Sequence, residues 1–205
     1  MLIIFTSPKG GTGKSTLTLL YANYLFQVFK KKVCILDIDK NHALSRKAKR
    51  HPDFGRDERS FPVLASRMED IVEARKELKK QIFDVVLVDL DYALTEQYLR
   101  ALQLADLLVC PYRTDELTLE ATLAFAMLLS LKKINAVTLF VPNRIKIQAE
   151  TGLIRDIESI LSGHGEIAPS ILDTALFEQL EFFCNSKSIK KYASAALSFI
   201  KQHSV

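Results

Sequence analysis

The stretch Ser7-Pro8-Lys9-Gly10-Gly11-Thr12-Gly13-Lys14-Ser15-Thr16 constrains this chain more than any other. It follows the apolar run Leu2-Ile3-Ile4-Phe5, which reads as a short buried strand. It precedes Leu17, Leu20, Tyr21, Tyr24, Leu25 and Val28, whose spacing is that of one helical face. Strand, glycine-rich turn and helix in that order leave few folds open. Glycines at 10, 11 and 13 tolerate positive φ, so successive amide N–H groups can turn into one concavity without Cβ crowding. Those amides, backed by the positive end of the helix dipole, make a nest for a di- or triphosphate.

The side chains around the glycines agree with that chemistry. In a loop of this kind Lys14 reaches the β- and γ-phosphate oxygens, and the Ser15 hydroxyl completes the shell of a Mg²⁺ ion. The general pattern G-x-x-x-x-G-K-[ST] asks for Gly at position 8, where Pro8 stands, and an additional lysine, Lys9, heads the loop. The segment Lys9-Gly10-Gly11-Thr12-Gly13-Lys14-Ser15 resembles the deviant phosphate loop of the ParA/MinD family of ATPases. The resemblance implies that Lys9 crosses a dimer to the partner subunit's nucleotide. It implies that Lys9, Gly10, Gly11, Thr12, Gly13, Lys14, Ser15 and Thr16 hold ATP. It also implies an α/β fold of the P-loop NTPase type, a mostly parallel twisted β-sheet with helices on both faces.

Two further strands end in carboxylates. Lys32-Val33-Cys34-Ile35-Leu36-Asp37-Ile38-Asp39 is apolar up to a D-x-D, whose spacing puts Asp37 and Asp39 on one side of an extended chain. At the C-terminal end of a parallel strand, beside a phosphate loop, such groups suit Mg²⁺ and an attacking water. The resemblance gives Asp37 to the metal and Asp39 to the water. In the family the D-x-D continues as Pro-Gln, whereas Lys40-Asn41 follows here. The run Phe83-Asp84-Val85-Val86-Leu87-Val88-Asp89 has the Walker B pattern, and Asp89 would hold a water ligand of the Mg²⁺. The family goes on from that aspartate with Thr-Pro-Pro or a small-residue turn. This chain has Leu90-Asp91-Tyr92, which leaves Asp91 a second carboxylate without an assigned purpose.

Between these strands, residues 40–62 are polar and basic, with Lys40, Arg46, Lys47, Lys49, Arg50, Arg56 and Arg59. A short helix over 42–50 and a solvated loop are expected there; the alternative is a surface for DNA phosphates or an acidic partner. Phe61-Pro62-Val63-Leu64 reads as a short strand, and Met68, Ile71, Val72 and Leu78 as a helix against the sheet. A helix over 94–104 leads to Ala105-Asp106-Leu107-Leu108-Val109-Cys110-Pro111, a buried strand stopped by its proline. Leu117, Leu119, Leu123, Phe125, Met127, Leu128 and Leu131 make the next helix apolar nearly all round. Such a helix is buried within the monomer or shared with a partner, and burial is the expected state. Ala136 to Pro142 forms another strand, with Asn143-Arg144 at its end; from the family, Asn143 is a candidate to read the adenine edge. Leu153, Ile154, Ile157, Ile160 and Leu161 form an amphipathic helix. A short strand over 168–172 leads to the closing segment Leu176-Phe177-Glu178-Gln179-Leu180. The last helix carries Ile189, Tyr192, Ala193, Ala196, Leu197 and Ile200 on one face. Lys187, Lys190, Lys191 and Lys201 lie elsewhere on it, where they could track a DNA backbone.

Composition narrows the partners. With 205 residues, 48% apolar and 25% charged, the chain suits one α/β domain over 1–205. No apolar run approaches the roughly 20 residues of a membrane span, no signal peptide precedes the first strand, and the tail Gln202-His203-Ser204-Val205 offers no amphipathic membrane anchor. A cytoplasmic protein is expected, at the nucleoid if DNA is bound. Cys34, Cys110 and Cys184 are widely spaced and read as reduced packing residues; the four histidines are scattered, so zinc is not expected. A net charge of +4 permits nucleic-acid contact without requiring it. The resemblance as a whole implies a weak ATPase switch of the small ParA type. It would dimerise on ATP and Mg²⁺, bind DNA nonspecifically, answer to a ParB-like partner and serve plasmid or chromosome partition. One alternative is a MinD-like or cargo-positioning module that barely hydrolyses. Another is a small-molecule ATP-dependent ligase of the same superfamily, against which Lys9 argues.

Overall fold

In the first strand, β1 (Leu2–Phe5), all four residues are buried, because each face of the strand meets a separate layer of helices. Ile3 and Phe5 point into one apolar cluster, Leu2 and Ile4 into the other. Strands buried on both faces read as unbroken apolar runs and belong to parallel sheets. The structure, a computed structural model, describes residues 1–51, 60–145, 152–173 and 186–204, the side chains of 153 and 186–192 excepted. Arg56, Arg59, Cys184, the segment 176–180 and the side chains expected at Leu153, Lys187, Ile189, Lys190, Lys191 and Tyr192 lie outside the described residues.

In chain order the elements after β1 are α1 (Lys14–Phe29), β2 (Val33–Ile38), α2 (Ala43–Lys49), β3 (Val63–Ala65), α3 (Asp70–Lys79), β4 (Val85–Leu90) and α4 (Glu96–Leu104). There follow β5 (Leu107–Tyr112), α5 (Glu116–Leu131), β6 (Val137–Ile145), α6 (Gly152–Leu161), β7 (Glu166–Ile167), β8 (Ile171–Leu172) and α7 (Ser186–Gln202). The sheet runs β3-β2-β4-β1-β5-β6-β7 with β8 also on β6, and every pairing is parallel. This is the α/β architecture that the resemblance implies. From β1 the chain crosses to one side, toward β2. From β4 it passes over β1 to β5 on the other. Loops therefore part at the C-terminal ends of β1 and β4, which is where open parallel sheets bind ligands.

Helices α1 and α7 cover one face. Leu17, Leu20, Tyr21 and Leu25 of α1 meet Ala193, Ala196, Leu197 and Ile200 of α7. The buried phenols of that face find partners, Tyr21 with Ser204 Oγ at 2.5 Å and Tyr24 with Ser198 Oγ at 2.9 Å. Residues of α3 to α6 cover the other face, among them Ile71, Tyr98, Phe125 and Ile157. Cys34 and Cys110 are buried and free, as expected for packing residues. No helix among the described residues is long and apolar enough to cross a membrane.

Three details depart from the sequence reading. Pro111 does not stop β5 but sits inside it, paired with Val141 of β6. Val109 accepts the Thr6 amide on the β1 side, and by alternation Pro111 also faces β1. The register with β1 has already ended at Phe5–Val109, so the missing N–H removes no ladder bond. Helix α5 is not buried all round: Thr118, Leu119, Thr122, Phe125, Ala126 and Leu129 face the core, while Leu117, Met127 and Leu131 are 67%, 58% and 77% exposed. The expected strand over 168–172 forms only at its end, as β8, and a separate β7 precedes it.

At the opposite end of the sheet from the glycine loop, Arg75 grips Asp106 with two parallel hydrogen bonds, Nη1–Oδ2 at 2.5 Å and Nη2–Oδ1 at 2.6 Å. Asp106 Oδ2 also accepts the Leu2 amide at 2.7 Å, tying α3 to the start of β1. Burial works against ionisation of Asp106, but Arg75 and the Leu2 amide outweigh it and hold its pKa below the ordinary carboxylate value. A carboxylate depressed in the folded state stabilises above its unfolded pKa, and that contribution is lost as pH falls through the folded value. Asp106→Asn should therefore cost about 1 kcal/mol at neutral pH, allowing for partial exposure. Urea midpoints of variant and parent should draw together as pH falls below the ordinary carboxylate pKa of about 3.9 and through the lowered folded value.

Candidate nucleotide site

The turn between β1 and α1 enters the left-handed region twice, at Gly11 (φ 76°) and Gly13 (φ 86°). At Gly13 a Cβ would also collide with the side-chain amide of Asn143. Gly10 differs from expectation. Its φ is not positive and its Cβ position is open, so the loop's own geometry does not demand glycine there. Asn143, at the end of β6, is buried and donates from Nδ2 to the Thr12 carbonyl at 2.7 Å, bracing the loop from behind. Its neighbour Arg144 lines the cleft in front.

Helix α1 starts without a cap. No side chain accepts its first amides and its first turn carries no acidic residue. Helices α4 and α5, by contrast, are capped by Thr95 and Asp115, which accept from Tyr98 N and Thr118 N. The amide donors at the start of α1 are thus left to an anion.

Alternation along β2 and β4 decides where the acidic groups fall. Ile35 and Leu87 point to the α1 face, so Asp37 and Asp89 follow on that same face, and Asp39 and Asp91, just past the strand ends, line the cleft. The parallel register sets Asp37 beside Asp89 and Phe5 beside Asp89, which brings all these strand ends to the start of α1. Lys14 Nζ lies 2.7 Å from Asp89 Oδ1 and 3.3 Å from Asp91 Oδ1. Burial alone would lower the Lys14 pKa, but the charges and hydrogen bonds of Asp89 and Asp91 outweigh it and raise it. Asp89 is fully buried; desolvation pushes its carboxyl up against the opposing pull of Lys14 and of the nearby Ser15 side chain. For Asp91, burial is overcome by the Lys14 charge and the Lys40 amide, and its pKa falls.

Asp37 is buried with both oxygens in use, Oδ1 accepting the Asp39 amide at 3.4 Å and Oδ2 the Ser45 amide at 2.7 Å. Asp39 accepts the Asn41 amide at 2.7 Å and, unlike Asp37, lines the cleft. That cleft measures about 490 Å³, in the range of about 300–1,000 Å³ typical of small-molecule sites. Ser7 through Thr16, Asp39, Lys40, Asp91, Tyr92 and Arg144 line it. Lys9 is exposed at the loop's head. Among the described residues, two buried side-chain polar atoms lack a hydrogen-bond partner, Ser7 Oγ and Asp89 Oδ2, and both belong to this site. Buried polar atoms are ordinarily paired, so these two mark unfinished coordination.

That orphaned oxygen tests whether the residues fit a cation. A hydroxyl at Ser15 and an unpartnered carboxylate oxygen at Asp89 are hard oxygen donors of the kind Mg²⁺ takes. Among the described residues no three His, Cys, Asp or Glu side chains converge as a protein-only metal cage. The remaining ligands would then come from water and phosphate, the usual arrangement for Mg²⁺ on a nucleotide. Asp91, Tyr92, Arg144 and Ser7 had no assigned place in the site. For Asp91 the signal was its position, a second carboxylate just past the strand that ends in Asp89-Leu90.

Fold and loop together define a P-loop nucleotide-binding protein. Residues 3–181 match the CobQ/CobB/MinD/ParA nucleotide binding domain, and the chain belongs to that family. No curated protein sequence matches it. Solved structures with the same fold include a MinD cell division protein from Aquifex aeolicus, at 20% identity and TM-score 0.75 over 98% of this chain and 95% of that one. A plasmid partition protein from Borrelia burgdorferi B31 bound to AMPPNP aligns at 16% identity and TM-score 0.71, over 98% of each chain. An apo McdA from Cyanothece aligns at 17% identity and TM-score 0.72, again over 98% of each chain.

The glycines can be told apart by stability. Gly13→Ala combines a left-handed φ with a collision and should cost about 1–3 kcal/mol. Gly10→Ala should stay within about 0.5 kcal/mol of the parent. Urea titrations of the two variants should separate them.

Proposed function

We propose that this protein is an ATP-dependent dimerising switch of the ParA type, which binds ATP with Mg²⁺, hydrolyses it slowly and binds DNA nonspecifically in the dimer. The observation that carries the reading is one uncapped loop bearing two lysines of opposite disposition. Lys14 is tucked against buried Asp89 and half-buried Asp91, and Lys9 is exposed at the mouth. A single-subunit site needs only the first; the exposure of the second supports a role toward another molecule.

In this account the amides of Gly10 to Thr16 take the phosphates, and Lys14 leaves its carboxylates for the β- and γ-oxygens. Ser15 and Asp89 would hold Mg²⁺, which when bound would supply charge neutralisation on the triphosphate. Asp37 would be the further carboxylate toward the cation, and its hold on the Asp39 amide fixes the turn that carries the water-positioning residue. Asp39, at the cleft wall, positions the attacking water, while Lys14 and the second subunit's Lys9 stabilise charge developing on the transferred phosphoryl. An adenine contact by Asn143 requires its amide to turn from Thr12.

Helix α2 supplies the DNA face. Leu44, Ser45 and Ala48 are buried, which turns Arg46, Lys47, Lys49 and Arg50 outward beside exposed Lys40. A spread of basic side chains with little apolar surface suits phosphate contacts without base readout. A ParB-like partner would stimulate turnover and release the dimer, and partition of a plasmid or chromosome would follow. The second reading, a nucleotide-gated positioning module with little hydrolysis, is favoured by Lys40 and Leu90-Asp91-Tyr92.

Sedimentation with a nonhydrolysable ATP analogue separates the lysines. Lys14→Ala should lose nucleotide binding by at least about 100-fold. Lys9→Ala should bind nucleotide normally yet remain monomeric. A wild-type protein that stays monomeric at saturating analogue would refute the switch. Turnover in the presence of DNA and partner decides between the two readings.

A further inference from the structure

We propose that Asp91 is a gating residue that a γ-phosphate must displace from Lys14, so that a triphosphate, unlike a diphosphate, binds only by opening this contact. In the absence of that phosphate, its carboxylate ties the loop lysine to the backbone at Lys40. The inference rests on reading the cleft as a nucleotide site. Asp91 Oδ1 sits 3.3 Å from Lys14 Nζ and Oδ2 accepts the Lys40 amide at 3.3 Å. One side chain thus joins the glycine loop, the turn after β2 and the end of β4, three segments that the fold brings to the same cleft.

The donors on Lys14 make the arrangement competitive. An ammonium has three, and Asp89 and Asp91 take two of them. A γ-phosphate that approaches Lys14 must displace one carboxylate or sit beside both, and like charges on one ammonium repel. Asp89 is fully buried beneath the loop and has no water to turn to. The Asp91 side chain is 34% exposed and lines the cleft, so Asp91 is the partner that yields. The chain after it is anchored, since the Tyr92 ring meets Tyr98 and Phe125 edge-on at 5.5 Å and 5.9 Å. The carboxylate therefore turns while the backbone stays. Its departure also removes the acceptor of the Lys40 amide and releases the turn that carries Asp39. A diphosphate, which ends short of the γ position, does not force this exchange.

Calorimetric titration of AMPPNP and of ADP, each with Mg²⁺, into the parent, Asp91→Asn and Asp91→Ala tests the gate. Thermal melting of all three proteins provides a check on folding. Both variants should bind AMPPNP about tenfold tighter while ADP affinity changes less than about threefold. Asp91→Asn keeps an acceptor for Lys40 and loses the charge on Lys14, so agreement between the variants assigns the effect to charge. Equal changes for the two nucleotides, or weaker AMPPNP binding in either variant with an unchanged melting temperature, would overturn the gate and leave the nucleotide site standing. A parent that binds neither nucleotide would overturn both.

Discussion

A largely buried ammonium held against a fully buried carboxylate is the contact on which the rest of this structure turns. Lys14 and Asp89 meet at 2.7 Å although 75 residues separate them, and neither could be buried alone without a large desolvation cost. Everything that makes the contact possible is a property of the sheet. The fully apolar β1 delivers the loop to the C-terminal edge. The parallel register sets Asp89 beside Phe5, and strand alternation turns its carboxylate toward the start of α1. The pair does not close the site. Asp89 Oδ2 and Ser7 Oγ remain unpartnered, and the first amides of α1 are uncapped. Stability here stops short of satisfaction, which is the condition of a pocket that must exchange internal partners for a ligand.

The same geometry shows how a charge-rich site is kept ordered without its ligand. Asp37 caps the entrance to α2 through the Ser45 amide, Asp39 closes the turn through Asn41, and Asp91 takes the Lys40 amide. Each carboxylate that could reach a phosphate or its cation is occupied by a backbone donor or by Lys14. Backbone amides are weaker partners for a carboxylate than a divalent ion, and a triphosphate competes with the carboxylates for Lys14, so such bonds hold the segments in place yet can be surrendered.

Much of this was legible in the sequence because it is local. Strand, glycine turn and helix over 2–29 occupy one continuous stretch, and the strands ending at Asp39 and Asp89 declare themselves by apolar runs stopped by acid. The pieces that escaped depend on distance. Asn143 braces Thr12 from 131 residues away, a contact that no spacing rule reveals. Pro111 looked like a stop and proved to be an interior strand residue, because the neighbouring strand ends before its missing N–H would be needed. The apolar face of α5 at Leu117, Met127 and Leu131 could not be assigned to core or surface by periodicity, since both faces of that helix are apolar. Asp91 was visible as a departure from the family pattern, but its grip on Lys14 and Lys40 is a tertiary fact.

The central claim is that Lys14 trades carboxylates for a triphosphate while Lys9 serves a second molecule. A crystal structure with AMPPNP and Mg²⁺ addresses it most directly. The account predicts Lys14 Nζ on the β- and γ-oxygens and Lys9 of a second copy at the same γ-phosphate. Lys14 still bound to Asp89 and Asp91 beside a nucleotide, or Lys9 facing solvent in a dimer, would contradict it.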